Sequence, residues 1–542
     1  MKVVLCTLFV ILITGISCEL LKLKNGEING TIGKSKNGRS FHQFYSIPYA
    51  EPPVGQLRLK APVKAKSWSN VRDASKSPPK CTQPSKNAPS SVSNDSQEDC
   101  LYLNVFVPEN LFKPSGKAPV MVWIHGGAFY TGFSGQYNPE YFMDKDVILV
   151  TVNYRLGALG FFGLNNDVIS GNFGLKDQAL ALQWVKENIA DFGGDPDKVT
   201  LMGESAGSAC VHLHMFSPLS KGLFQKTIMQ SGSGLSDWAA AADGSGESTS
   251  NAFLVLSGCW RNDSIRVLKC LQSLPASDFL TFGSRLSLRN TETEMIFRPI
   301  VESSVKNNPF LPQKPSKSTY QTTVPWISGI NSGEGALALT SLVKKGGALE
   351  KVMHVDRKCL ESFLAGYLFS LDPERVENTA QEIINFYFNS TNDGRNNALK
   401  FVDIHTDYTF LYPFIKAVQS NQQRQYLYYY DHRGSSSWQD YAKLDIDLGV
   451  SHGDELPLLF RNKILEPKQN PQDKLVSETL IKFWTEFAIT GDPNGKSVEK
   501  LWKFTSSDGD IEYLHIQSNG TAMKKQLLRK RYTFWESLLH AK

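Results

Sequence analysis

The sequence is short of almost everything that would take a chain out of the ordinary globular class. It has no marked charge of one sign: 58 Lys and Arg stand against 53 Asp and Glu in 542 residues, a net of +5, evenly spread. Binding to nucleic acid needs clustered basic charge, so no nucleic-acid partner is expected. Past the first residues it has no apolar run of membrane length, so no transmembrane segment is expected. Internal repeats and low-complexity tracts are missing, which excludes solenoids. No Pro/Gly/Ser-rich linker is long enough to part domains, so 19–542 is expected to form one domain, although length alone would suggest more. The last residues, Leu538 to Lys542, carry no retention or lipid-anchor signal.

Cysteine is also sparse, and its use fits export. Met1-Lys2 and the apolar run from Val3 to Ile13, then Gly15, Ser17 and Cys18, read as a signal peptide over 1–18. A secreted, extracellular protein is therefore expected, and such proteins put cysteine into disulfides. Of eight cysteines, Cys6 and Cys18 fall with the leader. Cys81 and Cys100 bracket one polar loop, Cys259 and Cys270 another, and two bridges are expected there. Cys210, on an apolar helix face, is expected to be a buried free thiol. Cys359 has no later cysteine to meet and is expected to be unpaired. Five Asn-x-Ser/Thr acceptors, Asn29, Asn94, Asn262, Asn389 and Asn519, sit in polar surroundings suited to glycosylation.

What is present is a composition 41% hydrophobic and 20% charged, with a clear alternation of elements. A hairpin is expected around Asn25-Gly26 and Asn29-Gly30. Residues 76–99 read as a polar loop and 101–107 as a half-buried strand of period two. Residues 118–124 and 147–152 are nearly all apolar, as strands covered on both faces are. Helical spacing runs over 173–189, and further strands are expected at 199–202 and 226–230. Residues 236–320 read as a helix-and-loop insertion. Strands resume at 324–330 and 426–430, followed by a helix over 474–489, an edge strand at 513–516 and a basic closing helix over 524–539. Strands alternating with helices predict an α/β fold with a mostly parallel central sheet covered by helices on both faces.

The stretch Val199 to Gly207 carries the chemistry. An apolar strand runs into Gly203-Glu204-Ser205-Ala206-Gly207 and then into a helical pattern. A serine at so sharp a turn is thrust clear of the sheet, and glycines two before and two after permit the close approach. The strand–turn–helix order resembles the nucleophile elbow of α/β-hydrolases, in which the acid and then the base follow the serine. A serine hydroxyl needs an imidazole to take its proton and a carboxylate to hold the imidazole. Glu334 follows the 324–330 strand within Asn331-Ser332-Gly333-Glu334-Gly335, where sites form at strand ends. Downstream lie His354, His405, His432, His452, His515 and His540. His452 sits in a glycine-punctuated loop, and His432 ends the 426–430 strand and suits the role by chemistry alone. Gly126 and Gly127, after the 118–124 strand, and Ala206 can offer backbone N–H groups to a developing oxyanion.

Taken together these stretches are similar to the type-B carboxylesterase/cholinesterase family. The likeness rests on Gly203-Glu204-Ser205-Ala206-Gly207, His125-Gly126-Gly127-Ala128-Phe129 and Glu98-Asp99-Cys100-Leu101-Tyr102-Leu103-Asn104. It extends to Asn331-Ser332-Gly333-Glu334-Gly335, Gly449-Val450-Ser451-His452-Gly453-Asp454-Glu455 and Thr490-Gly491-Asp492-Pro493-Asn494. The cysteine placement agrees, and the nearest likeness is to secreted insect-type carboxylesterases. The resemblance implies Ser205 as nucleophile, Glu334 as acid, His452 as base, and Gly126, Gly127 and Ala206 as oxyanion hole. It implies a small ester substrate, no metal and no cofactor. Departures narrow the substrate. Cholinesterases place a Trp in the first disulfide loop to meet a quaternary ammonium, and no aromatic stands between Cys81 and Cys100. Juvenile hormone esterases usually carry Gln before the nucleophile, and here it is Glu204. Phe297-Arg298-Pro299-Ile300-Val301 resembles an acyl-pocket wall, with Arg298 expected as a surface charge. The rivals are a juvenile hormone esterase, an interfacial lipase and an adhesion protein of the same family. The lipase needs an apolar lid, which the sequence does not show. The adhesion protein would have lost the nucleophile, which this chain keeps.

Overall fold

The computed structural model describes residues 19–85, 88–112, 116–287, 295–344, 364, 376–388, 394–441, 446–462, 465, 467, 470–497, 501–505 and 510–540. The expected signal peptide, His354, Cys359 and Asn389 lie outside them.

One sheet of 13 strands runs through the described residues. Its strands are β1 Glu19–Leu23, β2 Gly26–Lys34, β3 Ser40–Pro48, β4 Tyr102–Pro108, β5 Ala118–Ile124 and β6 Ile148–Val152. They continue with β7 Gly194–Glu204, β8 Lys226–Gln230, β9 Trp326–Asn331, β10 Gln425–Asp431, β11 Glu512–Gln517 and β12 Gly520–Lys525. The spatial order is β1-β2-β3-β4-β6-β5-β7-β8-β9-β10-β11-β12, with the short strand Arg72–Asp73 pairing β2 off this path. The seven strands from β6 to β11 in that order are mutually parallel. Antiparallel strands flank them on both sides.

The continuous apolar runs explain why the parallel block sits in the middle. In β5, Val120, Val122 and Ile124 enter the packed layer on one face, and Met121 and Trp123 enter the layer on the other. Helices α1 Phe173–Asn188 and α2 Ala206–Phe216 cover the first face through Leu175, Leu182, Val211 and Met215. Between β8 and β9 the chain forms α3 Ser245–Leu256, α4 Ser264–Ser273 and α5 Ala276–Ser287, as an insertion beside the sheet. Among the helices after β9 are Ala336–Lys344, Val376–Tyr387, α6 Gly394–Thr406 and α7 Tyr412–Ser420. Helix α8, Pro471–Thr490, covers the second face through Leu480, Trp484 and Phe487. The chain closes with α9 Arg529–His540. Each such large side chain, fully buried, stabilises the fold by about 1.5–3 kcal/mol.

Several expectations change at the ends of the sheet. The first hairpin turns at 24–25, but Asn29-Gly30 lies inside β2. Gly30 is there for packing: a Cβ would stand 2.5 Å from the Phe44 ring. The strand at β11 is not the edge, because Ser518 and Asn519 turn the chain back into β12 and the closing helix starts only at Arg529. The loop expected over 76–99 contains short paired strands, Lys80–Cys81 with Ser96–Gln97 and Pro84–Ser85 with Ala88–Val92. Cys81–Cys100 and Cys259–Cys270 are bridged, and Cys210 is buried and free. Among the described residues no helix is long and apolar enough to cross a membrane. Asn94, Asn262 and Asn519 are exposed, whereas Asn29 is half-buried in mid-strand.

Candidate active site

The parallel strands deliver their loops to one end of the sheet. β7 ends at Glu204, and Ser205 turns with φ 57° and ψ −125° before α2 begins. That is left-handed backbone for a non-glycine residue, held because Ser205 N–H donates to Gln230 O at 2.9 Å and Ser205 O accepts from Ala209 N at 2.9 Å. The glycines around it answer to crowding. A Cβ on Gly203 would meet Ile124 O at 2.7 Å, and one on Gly207 would meet the same oxygen at 2.1 Å.

β9 ends at Asn331 and places Glu334. Asn331 N–H donates to Glu334 Oε1 at 2.7 Å, Gly333 N–H donates to Val450 O at 2.9 Å, and Asn331 Nδ2 donates to Ser451 O at 2.8 Å. These bonds join the Glu334 loop to the His452 loop. Glu334 Oε2 lies 2.6 Å from His452 Nδ1. His452 Nε2 lies 3.1 Å from Glu204 Oε1, on the residue next to Ser205. All of these side chains are buried, Ser205 being 9% exposed and His452 6%.

β5 ends at Ile124 and feeds the glycine loop. Its conformation is unusual: Gly127, Ala128 and Phe129 have φ of 103°, 56° and 58°. Gly126 lies directly on the serine, since a Cβ there would stand 3.0 Å from Ser205 Cβ and 2.7 Å from Glu204 Oε2. Tyr154 OH donates to His125 O at 2.8 Å and stacks on the His125 ring, steadying the loop. Among the described residues the N–H groups of Gly127 and Ala206 have no protein acceptor, whereas the Gly126 N–H, expected as a third donor, is turned to the Tyr137 hydroxyl. An anion beside Ser205 Oγ would meet the Gly127 and Ala206 donors, with the N-terminus of α2 behind them.

Three buried carboxylates surround the one imidazole. Burial pushes Glu204 up to about 8, with His452 opposing that shift and Glu455 and Glu334 adding to it. Burial works against a charged His452, yet Glu204 and Glu334 outweigh it and raise the ring to about 9. The pair therefore titrates as a unit. When the proton sits on Glu204, His452 loses one of the charges that hold its own proton, and the neutral ring is a base. Glu455 is held by Asn331 Nδ2 at 2.8 Å and Gln230 Nε2 at 2.9 Å, and burial raises its pKa.

The other downstream histidines go elsewhere. His432 Nε2 contacts Asp473 Oδ1 at 2.9 Å and its Nδ1 contacts Ser518 Oγ at 2.8 Å. His515 Nε2 lies 3.0 Å from Asp431. His405 is half-buried beside Phe410, and loss of solvent first, then the neighbouring His452, lowers its pKa to about 3. Arg298 is half-buried with Nη1 3.4 Å from Met295 O, so it is not the surface charge expected. Sequence reasoning missed Glu204 and Glu455 as partners of the imidazole network, and Phe410 on its face, 4.8 Å between ring centroids. For Glu204 the signal was its place beside Ser205; for Phe410 no local signal existed.

Comparison with known proteins finds likenesses along nearly the whole chain. The sequence model of the Carboxylesterase family matches residues 17–535. Juvenile hormone esterase of Tribolium castaneum is 33% identical, over 96% of this chain and 94% of that protein. Venom carboxylesterase-6 of Apis mellifera is 34% identical, over 95% and 93%. Acylcarnitine hydrolase of Mus musculus is 31% identical, over 95% and 90%.

Proposed function

The chain belongs to the carboxylesterase family, a family of α/β-hydrolases acting on small esters, and from that premise we propose that its ester hydrolysis runs through Ser205, His452 and Glu334. In the first step Ser205 Oγ attacks the ester carbonyl carbon and its proton passes to His452 Nε2. For this the imidazole exchanges Glu204 Oε1 for the adjacent serine hydroxyl. Glu334 keeps the proton on Nδ1 and balances the charge that forms. The carbonyl oxygen takes the negative charge and accepts from the N–H groups of Gly127 and Ala206, with Gly126 packed beside them. Collapse expels the alcohol, which takes the proton from Nε2 and leaves an acyl group on Ser205. Water repeats the cycle from the other side: it gives a proton to His452, attacks the acyl carbon, and Ser205 leaves with the proton returned.

The observation that carries this reading is the 2.6 Å contact between Glu334 and His452, loops brought together at the strand ends beside a serine in left-handed backbone. The test is covalent: an organophosphate such as diethyl 4-nitrophenyl phosphate should form one adduct, on Ser205, found by peptide mass mapping. An adduct on another residue refutes the assignment.

The same proposal includes export. It is supported by the apolar leader at 1–18 and by two disulfides. Asn94, Asn262 and Asn519 are exposed and suited to glycans, whereas the half-buried Asn29 is not. A second substrate reading is juvenile hormone, favoured by the Tribolium relative. Glu204, where such enzymes usually carry Gln, stands against it. Turnover of a juvenile hormone beside 4-nitrophenyl esters of graded acyl length decides between them.

A further inference from the structure

The chain between α6 and α7 does not follow the α-helical register. Residues Asp407–Leu411 form a π-helical turn. Its cause is Pro413, which has no N–H to give to the carbonyl of Thr409 four residues earlier. That carbonyl instead accepts from Trp238 Nε1 at 3.0 Å. The next residue, Phe410, lies against the face of His452, 4.8 Å between centroids, and against Trp238 at 6.0 Å. Trp238 in turn meets Phe129 of the glycine loop at 6.4 Å. An apolar wall thus runs from the base to the oxyanion loop, and Phe410 is its piece nearest the imidazole.

The turn is held at its start by groups far from the site. Asp407 is fully buried, and its carboxylate receives Arg531 Nε and Nη2, each at 2.5 Å, and the hydroxyl of Tyr387. Arg531 Nη1 also reaches Asp403 at 2.9 Å. Trp535 Nε1 donates to Tyr387 OH at 2.8 Å, and its ring packs on Tyr408 at 5.3 Å. Tyr408 OH donates to Asp237 Oδ2 at 2.9 Å. The preceding residue, Thr406, accepts from Gly335 N–H at 3.0 Å, which ties the turn to the Glu334 loop as well. Arg531 and Trp535 both belong to α9. A π-turn inserts one extra residue into a helix and is kept where that residue has work to do. Here the displaced register aims Phe410 at the ring of His452.

We propose that α9 sets the ester selectivity of the active site, with Arg531 as the positioning residue. Arg531 locks Asp407, the lock fixes the π-turn, and the turn fixes how closely Phe410 stands over His452 and so how much apolar group the wall admits. This rests on the reading of Ser205 and His452 as nucleophile and base.

The test uses the full chain and the ratio of kcat/KM for 4-nitrophenyl hexanoate over 4-nitrophenyl acetate. The ratio does not depend on how much protein is correctly folded. Active sites are counted with diethyl 4-nitrophenyl phosphate. Arg531→Lys keeps the charge and loses the two-pronged fit, and should change the ratio about threefold or more. Phe410→Leu should change it too, and in the Phe410→Leu background Arg531→Lys should have no further effect on it. If Arg531→Lys does not fold, Trp535→Phe, which removes only the donor to Tyr387, is read in the same way. An unchanged ratio, or the same change with and without Phe410, overturns the proposal. Ser205→Ala run alongside separates the two readings: hydrolysis retained there sinks the Ser205 assignment whatever Arg531 does.

Discussion

Two regions of this molecule bring together a serine, a histidine and an acid. At one, His452 bridges Glu334 and the elbow of Glu204 and Ser205. At the other, His432 bridges Asp473 at 2.9 Å and Ser518 at 2.8 Å. Judged by those distances alone, the second is the better-made triad. The difference lies in what surrounds the hydroxyl. Ser205 stands in left-handed backbone at the start of an eleven-residue helix, beside a glycine loop whose Gly127 amide has no backbone acceptor. Ser518 lies in the turn of an antiparallel hairpin between β11 and β12. Asp473 also receives Ser435 N–H at 3.2 Å and stands in the first turn of α8, its own N–H donating to the N-cap Asn470, so its cluster fastens the end of β10, a hairpin and a helix start. Chemistry at an ester carbonyl needs donors where the oxyanion forms, and three side chains of the right kind do not supply them.

The largest contrast should come from the two serines. Ser205→Ala should lower kcat/KM for 4-nitrophenyl acetate by about 10⁴-fold or more, while Ser518→Ala should leave it within about twofold. Reversed results would exchange the roles of the two regions. Next come the acids, changed without changing shape. Glu334→Gln should cost about 10³–10⁴-fold in kcat, because the tautomer that leaves Nε2 free is no longer enforced. Asp473→Asn should leave kcat in place and lower unfolding free energy by about 1–3 kcal/mol in a denaturant titration. A smaller loss, about 10²–10³-fold in kcat, is expected for Gly126→Ala, since the new methyl would push on Ser205 and Glu204 and shift the donors.

The smallest effect should be in pH dependence. Glu204 is one of the charges that hold His452 at about 9. Glu204→Gln removes it, so the ring should lose its proton at lower pH and the acid limb of kcat/KM should move down by about one unit. An acid limb that stays put would mean that Glu204 does not act on the ring. Stability carries the complementary sign. His452 binds its proton more tightly folded than unfolded, so its contribution is complete below the ordinary value of 6.5 and fades as pH rises through about 9. In Glu204→Gln that loss on the alkaline side should begin at lower pH, as a Tm series against pH would read.

Much of the parallel block was legible before any coordinates, because strands buried on both faces must be continuously apolar, and 118–124 and 147–152 are. The ends of the sheet were less legible. Glycine serves both turns and close packing, so Gly30 reads as a turn; Lys524 and Lys525 read as the start of the closing helix, although they end β12. Within the site, Ser205 announced itself through its glycines. Choosing His452 over His432 by chemistry alone was not possible, since both end up with a carboxylate and near a serine.

By itself the sequence determined the elbow, the two disulfides, the central strands and the family, because each is written in neighbouring residues whose spacing has few physical readings. Only the tertiary structure decided which histidine meets Glu334, that Glu204 reaches the same ring, and that Phe410 packs on the imidazole. Those outcomes depend on distances between loops far apart in the chain, and burial sets their energies. Neither the distances nor the burial exists until the sheet has formed.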